Sequence, residues 1–83
     1  MNYSTTNIEM TSEGYEFTVL DENNGVQNAY FVDVYGESVS WHSNFISGIK
    51  HFNSEDDADA YALNKINSLR KKAVTVEKNI YLS

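Results

Sequence analysis

An antiparallel β-sheet of three to five strands with one main α-helix packed on a face, an α+β arrangement, is the fold that this sequence predicts. Three observations lead there. Residues 15–20 and 29–35 alternate apolar and polar side chains, the stretch between them has turn composition, and a long segment after Ser54 repeats its apolar residues at spacings of three and four. With 83 residues, 41% of them hydrophobic, the chain supports one domain, 1–83, built on one modest core.

The elements follow in order along the chain. In residues 1–14, Ile8 and Met10 alternate with polar residues and are read as the start of a first strand. Tyr15, Phe17 and Val19 form the buried face of the next strand, with Glu16 and Thr18 turned to solvent. Asp21, Glu22, Asn23, Asn24 and Gly25 then make a hairpin turn in which Asn24-Gly25 supplies positive φ. The returning strand places Tyr30, Val32 and Val34 on one face and Phe31, Asp33 and Tyr35 on the other. Gly36-Glu37 interrupts it before Val39 and Trp41 resume the alternation. Residues 42–53 hold Phe45, Ile46, Ile49 and Phe52, too apolar for a free loop, and are read as a helical turn or an irregular covering piece.

The helix is the most sharply marked element. Ser54 is placed to cap it and Asp57 occupies the reciprocal position of a capping box, while Ala58, Ala62, Ile66, Leu69 and Ala73 trace the buried stripe. Glu55, Asp56, Asp57 and Asp59 crowd its first turns, and Arg70, Lys71 and Lys72 are read as its last, matching both poles of the helix dipole. Val74, Val76, Ile80 and Leu82 then suggest a closing strand, with Glu77-Lys78-Asn79 as a break.

Charge carries most of the functional information. No lysine or arginine precedes Lys50, while Glu9, Glu13, Glu16, Asp21, Glu22, Asp33 and Glu37 all fall in that stretch, and the net charge is −6. A field of one sign attracts oppositely charged partners and repels like-charged ones, so direct nucleic-acid binding is excluded and basic proteins are favoured. Aromatic residues could stack single-stranded bases, but that mode requires a basic groove, which the sheet half lacks.

Catalytic and metal chemistry find little support in the residue pattern. Cysteine is absent, so neither disulfides nor thiolate-bound metal can staple the fold, and the cytoplasm is the expected compartment. The N-terminal residues do not read as a signal peptide, and no apolar run approaches the length that spans a bilayer. His42 and His51, the two histidines, have no nucleophile elbow or zinc-type spacing around them, and an enzymatic role would pair one of them with Asp33 or Glu37. A calcium loop starting at Asp21 would need glycine at 26 and glutamate at 32, where the chain has Val26 and Val32. No glycine-rich phosphate cradle is present either, so the expectation is a non-enzyme without cofactor or metal.

Successive outward residues on a strand lie about 7 Å apart, from a rise of about 3.4 Å per residue, which is near the spacing of neighbouring phosphates. An acidic sheet with the helix-start acids nearby would therefore fit a groove whose basic residues hold DNA or RNA. From Tyr15-Glu-Phe-Thr-Val through Ser54-Glu-Asp-Asp-Ala, this short acidic chain, free of cysteine and proline, resembles in overall style the phage-encoded inhibitors of bacterial defence, including anti-CRISPR proteins. That resemblance implies stoichiometric binding to a nucleic-acid-handling host complex, most naturally a CRISPR effector in the host cytoplasm, by blocking its nucleic-acid site or a moving subunit; the expected state of the free protein is a monomer or small homo-oligomer. Glu16, Asp21, Glu22, Asp33 and Glu37 are the expected charged contacts, Glu55, Asp56, Asp57 and Asp59 a second patch, and Tyr30, Tyr35 and Trp41 the aromatic anchors if exposed. The competing reading is a structural or interaction domain, such as a virion component or an assembly subunit that completes its sheet with a strand from another chain.

Overall fold

The computed structural model describes residues 3–23 and 25–82, except for the side chains of residues 81 and 82. Six strands, β1 (Tyr3–Thr5), β2 (Glu9–Met10), β3 (Gly14–Asp21), β4 (Val26–Tyr35), β5 (Ser38–His42) and β6 (Ser47–His51), precede a single helix, α1 (Glu55–Leu82). The strands form one antiparallel sheet in the order β1-β3-β4-β5-β6, and β2 lies beside β3 on the same edge as β1. The expected α+β architecture is therefore observed, with the helix across one face and the other face open.

Alternation decides which side chains meet the helix. Phe17 and Val19 of β3, Tyr30 and Val32 of β4 and Val39 of β5 are buried against Ala58, Ala62, Ile66 and Ala73 of α1. The division of labour is steric: small side chains on the helix allow close approach, and larger residues of the sheet fill the space between the layers. Phe17 faces Tyr30 in register, with rings stacked at 4.7 Å, and burial of a side chain as large as Phe17 contributes about 1.5–3 kcal/mol.

Three local expectations are corrected. The helix does not stop near Lys72 to release a closing strand; it runs 28 residues to Leu82. No glycine or proline interrupts residues 55–82, and Ala73 and Glu77 keep the four-residue spacing of the buried stripe, so tertiary packing overrides the β-branched residues Val74, Val76 and Ile80. Arg70, Lys71 and Lys72 consequently sit within the helix, and no basic residue occupies its last turn. Arg70 instead donates from Nε to the Thr6 carbonyl at 2.8 Å, bracing the break between β1 and β2.

Residues 42–53 supply a strand rather than a helical turn. In β6, Gly48 lies opposite Trp41, and a Cβ at position 48 would overlap the indole, so the glycine makes room for the ring of the neighbouring strand. The β3–β4 turn spans more residues than a tight two-residue hairpin: Asp21 pairs with Val26, Asp21 Oδ1 accepts the Asn23 N–H at 3.1 Å, and Gly25 supplies the positive φ of 68°. Asn24, also expected to have positive φ, lies outside the described residues. At the start of α1 the Asp57 N–H donates to Ser54 Oγ at 3.1 Å, the cap expected from sequence.

Candidate functional site

Strand alternation puts Glu16 on the open face opposite Phe31, which in turn faces His42; Asp33 lies opposite both Gly14 and Ser40. The register adds a carboxylate that sequence reasoning did not single out, because Glu9 of β2 stands directly opposite Glu16. Like charges paired across strands disfavour the sheet by about 0.2–1 kcal/mol. Packing therefore does not explain the pair. The only signal for it in the sequence is the alternation of Glu9 with Ile8 and Met10.

Lysines and arginines stand on the other side of the sheet. Lys50 pairs with Val39 and projects toward the helix layer, where its ammonium lies 5.0 Å from the Tyr61 ring centroid and 5.5 Å from that of Phe52. Lys65 covers Trp41 at 4.3 Å and Lys78 approaches Tyr3 at 5.8 Å, both from α1. Arg70, Lys71 and Lys72 are also helical. Among the described residues, the open face thus carries Glu9, Glu16 and Asp33 with no basic side chain other than the two histidines.

Topology gathers further acids at one end of a molecule 42 Å long. β3 begins, β4 ends, the β4–β5 turn closes and α1 starts at this end, so Glu13, Glu37, Glu55, Asp56, Asp57 and Asp59 join Glu9, Glu16 and Asp33 there. Of the twelve acidic residues, Asp21, Glu22 and Glu77 remain toward the opposite end. A cleft of about 150 Å³ lined by Met10, Glu13, Gly14, Tyr15, Val34 and Asp59 brings Asp59 of α1 beside Glu13, the residue before β3. Tyr35 crowns the same end: 56% exposed, it donates its hydroxyl to Glu13 Oε2 at 2.8 Å. That hydrogen bond, with lesser contributions from desolvation and from the charges of Glu13 and Asp33, raises the phenol above its usual 10.0.

Several expected contacts are elsewhere. Asp21 is buried on the helix side, at 3% exposure, because an odd-numbered position on β3 faces the core; its carboxylate organises the turn and offers no surface charge. Glu22 is exposed at the hairpin tip, far from the acidic end. Tyr30 is a core residue at 2% exposure, stacked on Phe17, so it cannot anchor a partner. Trp41 is half-buried between Gly48, Tyr61 and Lys65 on the helix side. Of the three proposed aromatic anchors, Tyr35 alone stands on the open face with its ring exposed.

The histidines share the open face. His42 stacks on Phe31 at 4.9 Å, and His51 Nδ1 lies 2.7 Å from Ser38 Oγ, a bond that ties β5 to β6. Among the described residues, no three His, Cys, Asp or Glu side chains gather as a metal site, and no helix is long and apolar enough to cross a membrane. Compared with known proteins, the chain matches no family model, no curated protein and no solved structure.

Proposed function

We propose that this protein is a non-enzymatic inhibitor that docks its acidic end on a basic nucleic-acid-binding surface of a host complex, a CRISPR effector being the expected target. One observation carries the reading: carboxylates from β2, β3, β4 and the start of α1 converge at one end while the lysines and arginines lie on the helix side of the sheet. Glu9, Glu16 and Asp33 form a graded row, with Glu9 and Glu16 directly opposed and Asp33 diagonal to Glu16 at about 7–8 Å, so the row offers closely spaced negative charge to a groove built for phosphates. Tyr35 contributes a ring at its margin, a type of side chain that supplies contact area at small entropic cost.

The test is binding to purified CRISPR effector complexes, with and without their nucleic acid. Affinity is expected to fall steeply as salt screens the exposed charges, to be lost when the DNA- or RNA-binding groove is filled, and to weaken at least about tenfold on Glu16→Lys with Asp33→Lys. Affinity that is flat with salt, or simultaneous binding with the nucleic acid, would remove the mimicry.

A further inference from the structure

The two edges of the sheet are finished differently. On the β1/β2 side the strand is broken at residues 6–8, Arg70 reaches into the break, and the Thr6 side chain replaces a ladder partner by accepting the Thr18 N–H at 2.8 Å. Interruptions of this kind are how proteins blunt an edge against further pairing. β6 closes the other edge as an unbroken five-residue strand without proline, and its one lysine is folded back over Phe52 and Tyr61.

Hydrogen-bond phase tells which groups this edge presents. The Ser43 N–H donates to Ile46 O and the Phe52 N–H to Glu37 O, so in the β5–β6 register residues 46, 48, 50 and 52 turn their backbone groups toward β5. Ser47, Ile49 and His51 therefore direct N–H and C=O outward, and Ile49, 62% exposed, is the central one of the three.

We propose that the β6 edge pairs with β6 of a second copy of this chain, antiparallel and centred on Ile49. In that register Ile49 faces Ile49 of the second copy as a hydrogen-bonded pair with Cα atoms about 5.5 Å apart, and each Ser47 faces the other copy's His51. All three outward residues exchange both backbone hydrogen bonds, the two isoleucines cover each other, and Lys50 lies opposite Gly48 rather than a like charge. Electrostatics select a second copy in this orientation. Residues 38–54 contain no aspartate or glutamate, so this edge is the part of a −6 chain with least negative self-repulsion. Antiparallel pairing also sends the two acidic ends to opposite extremities of the assembly. A five-residue edge makes a small interface, in the size class of weak and transient association.

This inference rests on β6 and not on the acidic end, so its test can fail without touching the proposed function. Sedimentation of the full chain across concentration, up to about 1 mM, should show a reversible monomer–dimer equilibrium, and hydrogen exchange should show amide protection at Ser47, Ile49 and His51 that grows with concentration. Ile49→Lys, which sets two ammonium groups at the two-fold, should raise the dissociation constant at least about tenfold. Ile49→Pro should do the same while keeping the far-ultraviolet circular dichroism, because the N–H it removes points away from β5. Leu63→Lys, on an exposed position of α1, should leave the equilibrium unchanged. A chain that stays monomeric throughout with concentration-independent exchange at these amides, or a dimer that survives both Ile49 variants, would overturn the proposal.

Discussion

The β2–β4 half of the sheet and the β5–β6 half share one antiparallel ladder and the same helix, yet they differ in charge. At neighbouring positions of one open-face row, β4 carries Asp33 and β5 carries Ser40; in the next row β3 carries Glu16 and β6 begins with Ser47. Either residue type satisfies a solvated strand position, so the fold does not require the acids. The Glu9–Glu16 pair goes further, since it opposes sheet formation. Acidity confined to one half and retained against a local cost is a property of the surface, which is why the proposed function is built there and the proposed self-pairing on the other half.

The largest effect is expected where a hydrogen-bond network that spans both halves is tied to α1. Asn44, in the β5–β6 connection, donates to Asn28 Oδ1 at 2.7 Å; Asn28 Nδ2 donates to Glu77 Oε1 at 2.6 Å, and the Tyr30 hydroxyl donates to Glu77 Oε2 at 2.7 Å. Glu77 is 1% exposed, so its carboxylate is held by these donors inside the protein. Glu77→Ala should lower the unfolding free energy by about 3–5 kcal/mol, because it opens a cavity and leaves two buried donors without their acceptor. Urea denaturation measures this directly, and a loss under about 1 kcal/mol would mean that Glu77 does not anchor α1 to β4.

Glycines sharpen the comparison next. A Cβ at Gly14 would overlap the Val32 carbonyl oxygen, a backbone atom of the paired strand, whereas one at Gly48 would meet the Trp41 side chain. Backbone cannot yield without parting β3 from β4, while an indole at the rim can tilt. Gly14→Ala is therefore expected to cost about 3 kcal/mol and Gly48→Ala about 1 kcal/mol by thermal or urea unfolding, and the reverse order would show that the acid-free half is the more rigid one.

The smallest effect lies at the acidic end. Because Tyr35 donates to Glu13, its folded pKa stands above the unfolded value, so its contribution to stability is complete below the unfolded pKa and is lost as pH rises through the folded one. Absorbance titrations near 295 nm of the wild type and of Glu13→Gln should differ by one phenol, whose ionisation moves back toward 10.0 in the variant. An unchanged titration in that variant would mean that the hydroxyl takes its shift from elsewhere.

Much of the architecture was legible in local pattern. Alternation at 15–20 and 29–35 assigned the buried faces of β3 and β4 because a strand repeats every two residues. Ser54 marked the start of α1 because a cap is a contact within a few residues. The end of the helix was harder, since Val74, Val76 and Ile80 read equally well as strand until the stripe is continued through Ala73 to Glu77, a glutamate that becomes core-facing once Asn28 and Tyr30 approach from β4. Neither β6 nor its pairing with β5 announces itself, because Gly48 makes sense only beneath the Trp41 ring.

By itself the sequence determined the segregation of charge along the chain, the α+β class and the alternating faces, all of which depend on neighbours a few residues apart. Tertiary structure decided which acids count. It buried Asp21 and Glu77, placed Glu9 against Glu16, and brought the start of α1 beside the Gly14 end of the sheet. Those outcomes depend on strand register and on the direction in which the helix crosses the sheet, quantities set by packing between residues distant in sequence.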